Sequence, residues 1–255
     1  MCRHLAYIGP AVSLAELVLE APHSLLRQSY APRDMRGGGT VNADGFGIGW
    51  FPRGEPGGRA RRYRRSMPMW TDASLADLAG EIHSGAVLAA VRNATAGMPV
   101  AEGACAPFSD GRWLFSHNGR VSGWPGSLAA LASTLPVEDL MTLDAPTDAA
   151  LLWALVRHRL RAGDCAADAV ASVVTEVAAA APQSRLNLLL TDGQTVVGTT
   201  WTHALWTRRT EAAIAVSSEP WDPDDDTWVE VPDRAMVVAT PQSVSTRALD
   251  DRGWS

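Results

Sequence analysis

Apolar positions along the chain follow two periods. Short apolar or alternating runs, many bounded by glycine, proline or aspartate, predict β-strands at Cys2–Ile8, Phe46–Phe51, Arg61–Tyr63, Ala86–Arg92, Trp113–His117, Leu186–Thr191, Thr195–Thr200, Ala212–Val216 and Ala235–Ala239. Asp192-Gly193-Gln194 between two of these runs is a hairpin signal. Helical spacing predicts helices over Leu14–Glu20, Ala73–Ile82, Leu128–Leu135, Asp148–Ala162 and Cys165–Ala180. Ser13 and Glu16 form a capping-box pattern ahead of the first. In the fourth, Leu151, Leu152, Leu155 and Val156 make an apolar face edged by Arg159. The two long helices are consecutive and separate two groups of strands. That is an α+β arrangement of two stacked sheets covered by helices, not the steady alternation of a doubly wound sheet. The stretch after Thr240 has little patterning and is expected to be peripheral.

Composition narrows the partners. The 255 residues, 46% of them hydrophobic, suffice for a sizeable core, and no internal repeat or linker divides them, so a single domain over 1–255 is expected. A net charge of −6 gives no reason to expect nucleic acid or an anionic membrane as partner. No apolar run reaches membrane-spanning length and no signal peptide is evident, so the expected location is cytoplasmic. All 22 basic residues are arginine. Five of them fall in Arg59–Arg65, read as a solvated hairpin edge, and Asp222–Asp226 reads as an exposed loop. Cys2, Cys105 and Cys165 are too scattered for a zinc site or a disulfide framework. Cys2 and His4 would share a strand face, but no second close pair supports a metal there. Gly45-Phe46-Gly47-Ile48-Gly49-Trp50 lacks the lysine of a phosphate loop, so no cofactor is expected. Whether copies associate as a homo-oligomer is left open.

Four segments carry candidate chemistry. Cys2 follows Met1 directly, and its small size suits removal of the initiator methionine. The new terminus would carry a thiol nucleophile and, in the same residue, an amine of pKa about 7.7–8.0 able to take its proton. In Ser116-His117-Asn118-Gly119, the Asn118 amide and Gly119 N–H could both face an oxyanion, with glycine free to take a positive φ; the plainer alternative is an Asn-Gly turn. Arg92, ending an apolar strand ahead of Thr95 and Gly97, suits a carboxylate fork or an ordinary surface ion pair. Thr147-Asp148 suits an ammonium site or simply a helix cap.

Taken in order, the N-terminal strand, Asn42–Trp50, Arg92–Gly97, His117-Asn118-Gly119 and Thr147-Asp148 resemble the class II glutamine amidotransferase family, whose catalytic residue is an N-terminal nucleophile. The resemblance covers most of the chain and implies a four-layer α-β-β-α sandwich. It also implies Cys2 as nucleophile, its α-amine as base and Asn118 with Gly119 as oxyanion hole. Arg92 and Thr95 would hold the α-carboxylate of a γ-glutamyl substrate, and Asp148 its α-ammonium. Many members carry Trp after the arginine and His after the threonine; here these positions are Asn93 and Ala96, so the leaving-group surroundings differ. Met-Cys-Arg-His-Leu and Ser217–Trp221 bring the chain nearest to stand-alone hydrolases whose small-molecule γ-glutamyl substrate carries a trimethylated ammonium on its leaving group. Aromatic rings bind such a group, and Trp70, Trp124 and Trp221 are the candidates. Two other activities fit the same motifs: a glutaminase subunit that passes ammonia to a synthase partner, and a non-catalytic γ-glutamyl-binding module.

Overall fold

The computed structural model describes residues 2–36, 41–52 and 58–249; Met1, and with it the question of its removal, lies outside the described residues, as does the end of the tail. In chain order the strands are β1 (Arg3–Ser13), β2 (Phe46–Trp50), β3 (Arg61–Arg65), β4 (His83–Val91), β5 (Phe108–Ser109), β6 (Leu114–Arg120), β7 (Arg185–Thr191), β8 (Val196–Thr199), β9 (Trp206–Arg209), β10 (Ile214–Ser217), β11 (Val229–Glu230), β12 (Ala235–Ala239) and β13 (Val244–Ala248). The α-helices are α1 (Leu25–Tyr30), α2 (Leu75–Glu81), α3 (Ala129–Ala132), α4 (Val137–Met141), α5 (Asp148–Ala162) and α6 (Ala166–Ala180).

The strands form two antiparallel sheets, ordered β11-β9-β10-β1-β4-β2-β3 and β13-β12-β8-β7-β6-β5. Side-chain alternation builds the layers. Along β7, Leu189 joins Ala6, Ile8, Leu88 and Val237 in a core between the sheets. Its neighbours Leu188 and Leu190 face the other way, onto Leu152, Val156, Val170 and Val174 of α5 and α6. On the far side of the first sheet, Leu5, Ile48 and Val87 pack against Leu17, Leu25 and Leu75. The result is the expected α-β-β-α sandwich.

Several elements differ from their sequence patterns. β1 continues past Ile8 to Ser13 through a register shift, because Gly9 and Pro10 break the ladder without ending it. The capping box forms: Ser13 Oγ accepts the Glu16 N–H at 3.1 Å, and Glu16 Oε1 accepts the Ser13 N–H at 3.3 Å. The segment it caps is nonetheless a π-helical turn, Glu16–Glu20. The predicted helix over Leu128–Leu135 shrinks to a 3₁₀ turn followed by the four-residue α3. The alternating glycines of β2 have a packing reason. A β-carbon on Gly47 would lie 2.3 Å from the Ala106 carbonyl oxygen, so only glycine lets that loop cross the strand. The arginine-rich segment is the edge strand β3, and the peripheral tail is paired as the exposed edge strand β13. Among the described residues, no helix is long and apolar enough to cross a membrane.

Candidate active site

β1 lies between β10 and β4 near the middle of its sheet, and Cys2 stands directly before it. The half-buried Cys2 Sγ is 3.8 Å from the Asn93 carbonyl. Arg3 is buried and fixes this end of the strand. Its Nε donates to Glu219 Oε1 at 2.7 Å, one terminal N–H donates to the Cys2 carbonyl at 3.0 Å, and another donates to the Asp34 carbonyl. The second Glu219 oxygen accepts from His23 Nε2 at 2.6 Å and from the Arg33 backbone N–H at 2.8 Å. Burial alone would raise the Glu219 carboxyl. The His23 hydrogen bond and the Arg3 charge outweigh it and hold that group below the ordinary carboxylate value.

Facing the thiol is the loop after β4. Arg92 prolongs the ladder, its N–H on the Gly45 carbonyl at 2.7 Å, and its guanidinium donates to the Pro99 carbonyl at 2.9 Å. Asp44 holds the loop down by accepting the Ala94 N–H at 2.8 Å. Across from it α5 begins. Thr147 is its cap, accepting the Ala150 N–H at 3.2 Å, while Asp148 accepts from Val121 N at 2.8 Å and Ala149 N at 2.7 Å. Both carboxylate oxygens are thus anchored, and the side chain also borders the cleft. Cys2, Arg92, Thr95, Gly119 and Asp148 all line one cleft of about 490 Å³, its open mouth included, together with Asn93, His117 and Thr147.

Asn118 stands beside this cleft rather than in its lining. Alternation along β6 puts His117 and Gly119 on one face of the strand and Asn118 on the other, between the sheets. The Asn118 Nδ2 makes a long 3.5 Å contact to Ser218 Oγ, and its buried Oδ1 has no partner among the described residues. Glycine at 119 answers a close approach rather than a turn, because a β-carbon there would stand 2.0 Å from the Arg185 carbonyl oxygen. On the Asn118 side lie His4, with Nδ1 3.1 Å from Ser116 Oγ, and His203. Burial pushes both imidazoles down from 6.5 to about 3, so both are neutral at pH 7.

The other cysteines have structural surroundings. Burial pushes the Cys105 thiol up to about 11, and Cys165 caps α6, accepting the Asp168 N–H at 3.4 Å. Among the described residues, no group of three or more His, Cys, Asp or Glu side chains is placed to hold a metal ion. The aromatic candidates divide. Trp70 is exposed and packs edge-on to Tyr30; Trp221 packs edge-on to Trp228 at 5.0 Å; Trp124 borders a groove that opens beside Thr95 and Met98. Arg3, Glu219, His203, Trp206 and Trp228 were not assigned roles from the sequence. Arg3 and Glu219 lie within the Met-Cys-Arg-His-Leu and Ser217–Trp221 patterns, which showed a likeness but no function.

Known proteins resemble the chain along most of its length. Residues 15–254 match the family model for class II glutamine amidotransferases. A γ-glutamyl-hercynylcysteine sulfoxide hydrolase of Mycolicibacterium smegmatis is 42% identical over 237 residues, 93% of this chain and 95% of that protein. A class II glutamine amidotransferase domain protein of Silicibacter pomeroyi has the same fold, with TM-score 0.67 and 23% identity over 98% of this chain and all of that one. Glutamine phosphoribosylpyrophosphate amidotransferase of Bacillus subtilis superposes with TM-score 0.65 at 14% identity, over 98% of this chain and 50% of that one. On the strength of the family match and the near full-length relative, the chain belongs to the class II glutamine amidotransferases.

Proposed function

We propose that this protein is an amidohydrolase that removes the γ-glutamyl group from γ-glutamyl-hercynylcysteine sulfoxide, a step of ergothioneine biosynthesis. The observation that carries the reading is the convergence of Cys2, Arg92, Thr95, Gly119 and Asp148 on one cleft, in a chain 42% identical to a hydrolase of that substrate. In the Met1-free protein the α-amine of Cys2 takes the thiol proton, and the thiolate attacks the γ-carbonyl. Arg92 and Thr95 bind the α-carboxylate and Asp148 the α-ammonium, which sets the carbonyl over the sulfur. The oxyanion receives the Gly119 N–H and the Asn118 amide, whose weak contact to Ser218 is readily exchanged for it. The C–N bond breaks, the leaving amine takes the proton back from the α-ammonium, and a γ-glutamyl thioester remains. Water, deprotonated by the same amine, cleaves the thioester and frees glutamate.

The test is glutamate release by Met1-free protein given the sulfoxide or, separately, glutamine. The proposal requires faster release from the sulfoxide, abolished in Cys2→Ala. Preference for glutamine would replace it with an ammonia-delivering subunit, and ligand binding without turnover would replace it with a binding module.

A further inference from the structure

A second hollow, of about 1070 Å³ with its open mouth, lies apart from the cleft and shares none of its lining residues. A narrow crevice bordered by Arg3, Asn118, His203 and Ser218 runs into it, the two sharing Asp34 and Arg36. The crevice starts one residue from the reacting groups on both strands, since Arg3 follows Cys2 and Asn118 precedes Gly119. Its walls present polar atoms without partners: both ring nitrogens of His203 and Oδ1 of Asn118, on residues 4% and 1% exposed. Buried polar groups of this kind are costly unless something bonds to them.

The hollow beyond has a different character. Trp206, half-buried on β9, and Trp228, braced edge-on by Trp221, supply indole surface. Four carboxylates border it, Asp34, Glu219, Asp225 and Asp226, against two guanidiniums, Arg33 and Arg36. Asp225 is paired with Arg208 at 2.5 Å and Glu219 with Arg3 and His23, whereas Asp226 is exposed on the rim. A quaternary ammonium cannot donate hydrogen bonds and is held by indole faces and diffuse negative charge. A carboxylate on the same molecule suits an arginine, and Arg36, exposed and paired with Asp34 at 2.7 Å and Glu230 at 3.0 Å, can exchange one surface partner for it.

We propose that the crevice and hollow are the leaving-group site, and that they take a zwitterionic betaine: its trimethylammonium on Trp206 beside Asp226, its carboxylate on Arg36, and its polar link to the scissile bond against His203 and Asn118. The inference rests on the function proposed above and extends it. The groove beside Trp124 adjoins the cleft at Thr95 and Met98, but that is where the α-carboxylate end of the substrate is held in the proposed reaction. A group leaving from the γ-carbonyl departs at the opposite end.

The test compares kcat/KM for γ-glutamyl-hercynylcysteine sulfoxide with kcat/KM for γ-glutamyl-p-nitroanilide, which shares only the glutamyl half. Trp206→Ala should lower that ratio about tenfold, through KM for the sulfoxide, whereas Trp124→Ala should leave it at the wild-type value. A ratio unchanged in Trp206→Ala, or lowered in Trp124→Ala, overturns the site. Should Trp206→Ala fold poorly, Trp206→Leu, which keeps apolar bulk without an aromatic face, replaces it with the same expectation. Calorimetry of hercynine, the free trimethylhistidine betaine, on Cys2→Ala separates the two proposals. If wild-type protein does not cleave the sulfoxide, the assigned reaction fails; hercynine binding that weakens in Trp206→Ala still supports the betaine site, and no binding overturns it.

Discussion

A buried guanidinium is unfavourable unless its counter-charge is buried with it, and Arg3 and Glu219 are only 3% and 4% exposed. Removing one partner strands the other. Glu219→Ala is therefore expected to cost about 3–5 kcal/mol in urea denaturation, and to lower kcat because the Cys2 carbonyl loses its anchored donor. Gly119→Ala meets the Arg185 carbonyl oxygen at 2.0 Å and should lose more than about 2 kcal/mol of stability by the same measurement. His4 and His203 impose a pH dependence. Their folded-state values near 3 lie below the ordinary 6.5, so between these limits the unfolded chain binds protons that the folded chain refuses. Stability is complete above about pH 6.5 and falls as the pH drops from there toward about 3. Glu219, also held below its ordinary value, adds to the loss at the acid end. Urea midpoints at about pH 7 and about pH 5 should show this loss, and it should shrink in His203→Asn.

At the scale of elements, the start of α5 gives Thr147 and Asp148 different roles. Thr147→Ala should cost about 1 kcal/mol, read as a lower Tm, because only the cap to Ala150 is lost. Asp148→Asn removes the charge and also turns one of two buried acceptors into a donor facing a backbone N–H, so it should raise KM for γ-glutamyl substrates and lower Tm as well. Both long helices were legible in the sequence to within a residue, since α5 and α6 each carry a complete apolar face and a capping residue, Thr147 and Cys165. The central strands were legible for a similar reason, being continuous apolar runs buried on both faces. The strands β5, β9, β11 and β13 were not: two are two-residue pairings, β9 carries two arginines, and β13 is exposed along its length. Missing β9 meant missing Trp206. The direction of the Asn118 side chain was also hidden, because the motif Asn-Gly reads as a turn until the ladder with β7 shows that β6 continues through it.

Across the whole molecule, the cleft takes Cys2 and Arg92 from one sheet, Gly119 from the other and Asp148 from the helical layer. Its geometry exists only while the sheets remain packed. Leu189→Ala, deep between them, should cost about 2–5 kcal/mol, and glutamate release and tryptophan fluorescence should be lost along one common urea curve. The Arg3–Glu219 pair adds a further condition in time rather than in space. Its members are 216 residues apart, so Arg3 is made long before the carboxylate that neutralises it. Until residue 219 has been made, the guanidinium has no counter-charge to close on, so the last fastening of this strand waits for the final sixth of the chain.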